Sequence, residues 1–438
     1  MEEVTLLQML DARERRAERQ TQLLHQFGRP LVCFTMNIAG PVKYTPLISR
    51  SFREGCAALE TRLPPILHRE SEETVTGCQA MYVVDGGALA IKAVCTAIEE
   101  ETPLGRLFDM DVLDTEGHKL ERQPSNRSSR GCIVCGAPGR GCASRRLHSV
   151  EDLQKATRTI MADHFARLDA ARTAGLAVQC LLDEVNTTPK PGLVDRRNTG
   201  SHRDMDLSAF TASALALEPY FRGCVQTGMD TASLPPEETF SRLRQAGLEA
   251  EQTMYRATGG VNTHKGAIFT LGLLCGAVGR LWMPEKPFRD TDALLRETAK
   301  LAENALSDFR GVPTTAGERL YRERGLTGIR GETAAGLPGA ARWGLPAFRE
   351  NLAKGLSPND AGAIALLHLI AQVEDTNLYR RGGPEGAAWA RAAARSLLPS
   401  PTPARLEALD DAFIARNLSP GGCADLLAVT YFLHSLEG

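Results

Sequence analysis

The sequence has 438 residues, of which 43% are hydrophobic and 24% charged, so it can bury large cores and is expected to form two domains. A net charge of −2 gives no overall attraction for nucleic acid or an anionic membrane. Eleven scattered cysteines and a charged N-terminal segment without a signal-peptide core indicate a reducing, cytoplasmic location. The longest apolar stretch, from Gly266 to Met283, contains glycines and Arg280, which predicts a core helix and no membrane segment.

The N-terminal part mixes helical and strand-like segments. A helix is predicted from Leu6 to Gln26, followed by the strand-like run LVCFTMNI and a turn at AGPVK. A second helix is predicted from Ser49 to Leu63, and strand, helix and strand follow up to about Asp114. This order is typical of an α+β domain.

Two aspartates alternate with apolar residues in GRLFDMDVLD. Asp109 and Asp111 are therefore expected to point to the same side of one strand. Two carboxylates placed in this way can hold Mg²⁺ together with ligand phosphates. The alternative is an ordinary solvated strand face, because D-x-D pairs are common there.

A cysteine-rich segment follows. Cys132, Cys135, Cys142 and His148 could coordinate zinc tetrahedrally, although their spacing departs from the standard zinc-finger pattern. The arginines among them suit phosphate or pyrophosphate contacts equally well. A third interpretation is that the thiols are free. The arginines are Arg127, Arg130, Arg140, Arg145 and Arg146.

The remainder of the chain has a helical pattern. The segment from Glu151 to Gly175 predicts a helical connection between the domains, and Asp204 or Asp206 is expected to cap the next helix. No strand-like segment alternates with these helices, which predicts an all-α C-terminal domain and excludes a Rossmann-like sheet. Further helices are predicted at Glu238 to Ala257, Ala267 to Arg280, Thr291 to Leu306, Pro358 to Gln372, Ala387 to Leu398, Pro403 to Arg416 and from Ser419 onwards.

Four polar segments adjoin these helices: Glu184 to Asp206, Thr258 to Ala267, Thr327 to Ala340 and Glu374 to Gly383. In the first, two prolines stiffen TPKPG so that it can present Lys190 in one direction. Each segment is rich in Gly, Thr, Asn or charge. They could converge on one phosphate-rich ligand, or they could be ordinary surface loops.

TPKPGLVDRRNTGSH, GGVNTHKG, GIRGE and EDTN, in this order, resemble the triphosphoribosyl-dephospho-CoA synthases of the citrate lyase system, from about Ala170 to the C-terminus. MNIAGPVK, GRLFDMDVLD and the cysteine segment resemble the holo-citrate lyase synthases, which are phosphoribosyl-dephospho-CoA transferases. The two resemblances imply a transferase domain at residues 1–165 and a synthase domain at residues 166–438.

The first resemblance implies that the 2'-hydroxyl of 3'-dephospho-CoA displaces adenine from C1' of ATP and that the product keeps the triphosphate. Such a displacement needs a carboxylate near the anomeric carbon, an acid for the leaving base, and Mg²⁺ with cationic side chains around the triphosphate. The second resemblance implies transfer of the phosphoribosyl-dephospho-CoA group to a serine of the apo acyl carrier (gamma) subunit of citrate lyase. Diphosphate leaves, and the chain needs no catalytic serine of its own.

On this chemistry we assign candidate residues. The residues expected to bind a metal or to stabilise the oxocarbenium-like state are Asp195, Asp204, Glu374 and Asp375. The residues expected to protonate adenine or to orient a hydroxyl are His202 and His264. The residues expected to contact substrate or phosphate are Lys190, Arg196, Arg197, Asn198, Gly259, Gly260, Asn262, Lys265, Arg330, Glu332 and Asn377. In the transferase domain, Asp109 and Asp111 would hold Mg²⁺, while Arg106 and Arg130 would steady charge.

Three alternatives remain open. A zinc-stabilised nucleic-acid-binding protein is disfavoured by the near-neutral charge and the few aromatic residues. The N-terminal domain could dock the carrier protein without transferring anything to it. The same prosthetic group could also serve malonate decarboxylase.

Overall fold

We describe the chain from a computed structural model. The chain folds into two compact units. The first consists of Met1–Arg167 and Met283–Pro287, and the second consists of Leu168–Trp282 and Phe288–Gly438. The first unit contains a small antiparallel sheet with helices, and the second is mostly helical, which confirms the predicted two-domain architecture. The described residues are 2–121, 131–137, 142, 145, 147–310, 313 and 316–437.

A four-stranded antiparallel sheet, in the order β2-β3-β1-β4, forms the centre of the first unit. Its strands are β1 (Leu31–Met36), β2 (Ile66–Thr74), β3 (Gly77–Val84) and β4 (Phe108–Leu113). The helices of this unit are α1 (Leu6–Phe27), α2 (Pro46–Arg62) and α3 (Ala88–Glu101), and a 3₁₀ turn covers Leu104–Leu107. The sequence did not predict β2, because HRESEET is polar; as an edge strand with alternating partial burial, β2 needs little apolar content.

Strand β4 is the other edge of the sheet, and α3 covers its free side. Lys92 Nζ donates a hydrogen bond to the Met110 carbonyl at 3.0 Å, and the Met110 N–H donates to Glu99 Oε1 at 2.9 Å. Both side chains are buried, so backbone groups that would lack a strand partner are satisfied. The strand that carries Asp109 and Asp111 is therefore fixed from both sides.

The second unit is built from helices around one large apolar core. α4 (Val150–Asn186) belongs to the first unit up to Arg167, and it continues through Gly175, where the predicted helical connection ended. The other helices are α5 (Leu207–Ala216), α6 (Glu218–Asp230), α7 (Pro236–Ala257), α8 (Lys265–Arg280), α9 (Thr291–Glu303), α10 (Ala316–Arg324), α11 (Gly328–Ala334), α12 (Leu345–Ala353), α13 (Pro358–Gln372), α14 (Thr376–Leu397), α15 (Pro403–Ala415) and α16 (Gly421–Glu437).

Two of the predicted polar segments are partly helical. Helix α11 occupies part of the segment Thr327 to Ala340, and the first turns of α14 occupy most of the segment Glu374 to Gly383. Helix α14 starts early because the side chain of Asp375 caps it, accepting the N–H groups of Asn377 and Leu378. A kink at Gly383, with φ of 63°, separates these first turns from the predicted helix that begins near Ala387. Asp206, and not Asp204, caps α5. No helix of the described part is long and apolar enough to cross a bilayer.

Glycines allow α6 and α8 to pack with their backbones in contact. A Cβ added to Gly228 would lie 2.0 Å from the Gly276 carbonyl oxygen, and one added to Gly279 would lie 2.0 Å from the Val225 carbonyl oxygen. Helix α8 is buried along most of its length, so it cannot move away to accept a larger residue.

We predict that Gly228→Ala lowers the free energy of unfolding by about 1–3 kcal/mol, because the added methyl group overpacks this contact. Gly223→Ala on the same helix is the matched control, since a Cβ there meets nothing within 4 Å. It should be neutral or stabilise by about 0.5 kcal/mol. The midpoint of the helical circular dichroism transition of the full chain measures both, and equal midpoints for the two variants would contradict the packing argument.

Candidate active sites

The helical unit contains a cavity of about 930 Å³, towards the upper end of the usual range for small-molecule and cofactor sites. All four polar segments contribute to its walls. The sequence-predicted residues that line it are Lys190, His202, Asp204, Asn262, His264, Lys265, Arg330, Glu332, Glu374, Asp375 and Asn377. The remaining predicted residues of this unit lie outside the lining: Asp195, Arg196, Arg197, Asn198, Gly259 and Gly260.

Lys190 is buried in an ion pair. Its Nζ donates to the backbone oxygen of Glu184 at 2.7 Å and to the Glu184 carboxylate. The side chains of Lys190 and Glu184 are only 1% and 5% exposed. Burial raises the pKa of Glu184, and the charge of Lys190 opposes this effect. The pair therefore holds the end of α4 against the following loop, and Lys190 is already neutralised.

The residues around Asp195 build the loop. The Asp195 carboxylate accepts the N–H groups of Lys190, Arg197 and Asn198 at 2.7 to 3.1 Å. The Arg197 and Asn198 side chains both bind the buried Asp410 carboxylate. Each of these loop residues was predicted to contact a ligand, but each has a hydrogen-bond partner inside the protein. The same holds for Arg196, which donates to Asn359 at 2.9 Å.

His202 lies between an arginine and a serine. Arg381 donates to its Nδ1 at 3.2 Å, so the proton lies on Nε2, which donates to Ser419 Oγ at 2.9 Å. Burial, followed by the positive charge of Arg381, lowers the pKa of His202 to about 4. The ring is therefore neutral near pH 7.

His264 is also neutral, but one of its ring nitrogens is unused. Nδ1 is paired with Ser213 Oγ at 2.8 Å, whereas Nε2 is buried and has no hydrogen-bond partner among the described residues. Burial, assisted by the charge of Lys190, lowers the pKa of His264 to about 3. The residue lines the cavity, so a partner for Nε2 could come from a ligand.

Two carboxylates bind the first turns of the cavity helices. Asp375 caps α14 and also accepts the N–H of Cys423 in α16 at 2.9 Å. Asp425 of α16 lies against the first turn of α8, where the N–H of Ala267 favours its charged form. Burial raises the pKa of Asp375, and burial together with the charges of Glu184 and Asp375 raises the pKa of Asp425 well above its usual range. Asp425 was not among the site residues predicted from the sequence.

The cations of the cavity differ in how far they are neutralised. Lys265 pairs with Glu251 at 2.7 Å, and Arg330 pairs with two carboxylates. Arg380 and Arg381 make no salt bridge with any carboxylate in the described part of the chain. Burial, with the neighbouring charge of Arg380, lowers the pKa of Arg381. Within the described residues, these two arginines are therefore the cations of the cavity wall that form no salt bridge.

The other predicted residues make few contacts or are exposed. Glu332 accepts the Gly339 N–H, and burial raises its pKa. Asn262 accepts the Lys265 N–H at 3.3 Å, and Glu374 is exposed, 3.5 Å from Arg391. Asp204 is exposed within the lining. Gly259 and Gly260 form the left-handed turn after α7.

Several lining residues were missed by sequence reasoning. They are Glu184, Glu251, Arg380, Arg381, Ser419 and Asp425. Asp425 did carry a signal, because it is a single acidic residue in the apolar run GGCADLLAVTYFL. The paired arginines likewise stood in the polar segment EDTNLYRRGG, but nothing in the sequence showed that they lack acidic partners.

In the first unit, Asp109 and Asp111 lie on one face of β4, opposite Thr35 and Cys33 of β1. Their neighbours on β4 are buried on the other face, as the alternation predicted. Asp111 pairs with Lys119 at 2.6 Å, whereas Asp109 is exposed. This face thus presents two carboxylates and a lysine, a combination suited to a metal-bound polyphosphate.

The cysteine segment lies close to the start of β4. Arg106 donates to the Gly131 carbonyl, while its Nε is buried without a partner in the described residues. The ligand atoms of Cys132, Cys135, Cys142 and His148 all lie within 4.8 Å of one another. The N–H groups of Cys135 and Val134 lower the pKa of Cys132 to about 7. Arg130, which was predicted to steady phosphate charge, falls outside the described residues.

A helical unit with a charged cavity and a small sheet unit with a carboxylate face together form a bifunctional transferase, as comparison with known families establishes. Residues 170–438 match the ATP:dephospho-CoA triphosphoribosyl transferase family. Residues 4–164 match the apo-citrate lyase phosphoribosyl-dephospho-CoA transferase family.

Relatives with curated names agree with these matches. Protein CitXG of Haemophilus influenzae is 37% identical over 99% of this chain and 97% of its own length. A probable 2-(5''-triphosphoribosyl)-3'-dephosphocoenzyme-A synthase of Citrobacter koseri is 47% identical over 60% of this chain and 89% of its own. The corresponding synthase of Pectobacterium atrosepticum is 42% identical over 64% and 93%.

The chain belongs to the ATP:dephospho-CoA triphosphoribosyl transferase family and carries the apo-citrate lyase transferase domain fused in front of it. It makes the citrate lyase prosthetic group and attaches it to the apo-enzyme.

We predict that Lys190→Met destabilises the helical unit by about 3–5 kcal/mol, because it leaves the Glu184 carboxylate buried without its partner. Lys265→Met is the matched control. Its pair with Glu251 is half exposed, so the loss should be below about 1 kcal/mol. Urea unfolding of both full-length variants tests this, and a similar small loss in both would show that the Lys190 pair does not hold the loop.

Proposed function

We propose that the cavity of the helical unit binds ATP with its triphosphate against Arg380 and Arg381. The observation that carries this proposal is which cations of the lining already form salt bridges. Lys190, Lys265 and Arg330 already have carboxylate partners, whereas these two adjacent arginines on α14 have none among the described residues. Arginine is suited to bidentate phosphate contacts, and a bound triphosphate would relieve the repulsion between the two guanidinium groups.

The chemistry requires an acid for the departing adenine. As the 2'-hydroxyl of 3'-dephospho-CoA attacks C1' of ATP, the bond from C1' to adenine N9 breaks and its electron pair stays on the base. We assign the proton donor to Asp425, because it lines the cavity and because its raised pKa lets the carboxyl group keep its proton to a higher pH than usual. The lowered pKa values of His202 and His264 make these rings poor acids in the free enzyme.

The other polar groups have complementary roles. Asp204, exposed in the lining, would stabilise the oxocarbenium-like state and accept the proton of the attacking hydroxyl. His264 offers its unused Nε2 to a ribose or adenine atom. The polyanion would raise the pKa of His264 once bound, because negative charge nearby favours the imidazolium.

Mg²⁺ fits the residues of the cavity. Its lining offers oxygen ligands, and no three carboxylates or histidines in the described part of this unit converge as a closed protein cage. That arrangement suits an ion that binds one or two carboxylates and takes its other ligands from phosphates and water. Asp204 and Asp375 are the side chains that would hold it, and the ion would offset triphosphate charge.

The β4 face would carry out the second step. The hydroxyl oxygen of the carrier serine forms a bond to the α-phosphorus and loses its proton to water, and diphosphate leaves with the electrons of the broken P–O bond. Asp109 and Asp111 would hold Mg²⁺ on the leaving oxygens, and Lys119, missed by the sequence analysis, would stabilise the diphosphate. We place the division between the two functions at residues 165/166, and we propose the gamma subunit of citrate lyase as the acceptor and the cytoplasm as the location.

The family match of residues 4–164 favours transfer to citrate lyase over both alternatives, a docking module and a malonate decarboxylase partner. A docking module would also have no need for two carboxylates on an exposed strand face. The two activities can be tested separately, because each is proposed to use its own carboxylates.

We predict that Asp425→Asn slows adenine release by about 10²–10⁴-fold, because asparagine can still accept the Ala267 N–H but cannot deliver a proton. The rate of the unmodified enzyme should fall as pH rises through the elevated pKa of Asp425, and this alkaline limb should vanish in the variant. Chromatography of released adenine measures both effects. Asp206→Asn, which alters a helix cap outside this cavity, is the control. An unchanged pH profile in Asp425→Asn would exclude the assigned acid.

We predict that Asp109→Asn abolishes labelling of the apo carrier by purified triphosphoribosyl-dephospho-CoA and leaves adenine release unchanged. The expected loss is at least about 10²-fold if the carboxylate positions a catalytic metal. Asp85→Asn, an exposed carboxylate paired with Arg29, is the control. If carrier binding persists while transfer is lost, the docking-module alternative is rejected. Unchanged transfer would remove β4 from the mechanism.

A further inference from the structure

Three cysteines and a histidine converge in the first unit, and the proposed transfer chemistry uses none of them. The ligand atoms of Cys132, Cys135, Cys142 and His148 lie within 4.8 Å of one another. The sulfur atoms of Cys135 and Cys142 are 3.5 Å apart. With Zn–S bonds of about 2.3 Å, two sulfurs of a tetrahedral site are about 3.8 Å apart. A disulfide would instead need about 2.05 Å. The spacing suits a shared ion.

The turn that carries the first two cysteines directs both side chains to the same place. The Cys132 N–H donates to the Ala137 carbonyl at 2.6 Å, and the Gly136 N–H returns to the Cys132 carbonyl at 2.9 Å. Gly136 has a φ of 72°, and a Cβ on Gly131 would lie 2.4 Å from the Gly136 oxygen. Glycine is therefore required at both ends of this turn.

Polar atoms in the cluster also lack the partners that burial demands. The Nε2 atom of His148 is buried and has no hydrogen-bond partner among the described residues. An unpaired buried polar nitrogen is unfavourable, and a ligand at this position would remove that cost. On the other side, the Val134 N–H points to Cys132 Sγ at 3.4 Å, a donor suited to a sulfur that carries negative charge.

We propose that Cys132, Cys135, Cys142 and His148 bind one Zn²⁺ ion in a closed tetrahedral site. Three thiolates and one imidazole match the ligand preference of zinc, and four protein ligands leave no position open for substrate. The site is structural. It joins the turn at residues 131–137 to Cys142 and His148, and through the hydrogen bond from Arg106 to the Gly131 carbonyl it stabilises the residues that lead into β4.

The test is the metal content of the full-length chain, purified under reducing conditions without chelator and equilibrated with Zn²⁺ alone. Elemental mass spectrometry of the protein should give one zinc per chain. Cys142→Ser and His148→Gln should each lose most of it. Cys95→Ala is the matched control, because that thiol is buried in α3 of the same unit, and it should keep the full equivalent. Cobalt in place of zinc should give the absorption bands of tetrahedral thiolate coordination, weakened in Cys142→Ser.

Several results would overturn the proposal. A metal-free chain with reactive thiols at these three cysteines would show that no ion is held. A mass lower by two hydrogens, with Cys135 linked to Cys142, would replace the ion with a disulfide. Equal zinc content in all variants would place the metal elsewhere. Finally, removal of the ion by a chelator should speed trypsin cleavage after the exposed Arg145. An unchanged rate of cleavage would show that the ion has no structural role.

Discussion

The helical unit depends on two carboxylates, Asp375 and Asp425, that contact the N–H groups at the first turns of its helices. Asp375 binds the first turns of α14 and α16, and Asp425 binds the first turn of α8. Each such contact satisfies donors that a helix cannot pair internally and is worth about 1 kcal/mol. More important is their geometry. Three helices start at the same cavity because two side chains tie their ends together.

This construction joins stability to chemistry. Carboxylates placed where they are needed for the fold are also desolvated and close to one another, which raises the pKa values of Asp375 and Asp425. An aspartate in this setting keeps its proton to a higher pH than usual, which suits it to act as an acid. On the same helix that Asp375 caps, Arg380 and Arg381 supply positive charge that no described carboxylate neutralises. A cavity with an acid and an anion-binding wall suits the transfer of a triphosphate-bearing ribose.

The sequence predicted the architecture well where periodicity or alternation carried the signal. The exposed pair Asp109 and Asp111 followed from alternation along β4, and the helical character of the C-terminal part followed from apolar spacing. Strand β2 was missed because it is a polar edge, and the start of α14 because the Asp375 cap overrides its polar composition. These are tertiary effects without a local pattern.

The site was harder to predict for the same reason. Composition marks Lys190, Arg197 and Asp195 as ligand-binding residues, yet their partners Glu184 and Asp410 lie inside the protein. Conversely, Arg380 and Arg381 gain importance because no carboxylate in the described part of the chain forms a salt bridge with them. A charged residue stabilises the fold or binds a ligand depending on which side chains pair with it, and a single sequence does not show which side chains these are.

The central claim is that one chain makes the prosthetic group and transfers it to the carrier. It is tested most directly by incubating the chain with ATP labelled with ¹³C in the ribose, Mg²⁺, 3'-dephospho-CoA and the apo acyl carrier subunit of citrate lyase, followed by intact mass spectrometry. We predict unlabelled adenine in solution and a carrier that gains the phosphoribosyl-dephospho-CoA group with the labelled ribose inside it. Adenine release with an unmodified carrier, or a carrier modified without the label, would contradict the claim.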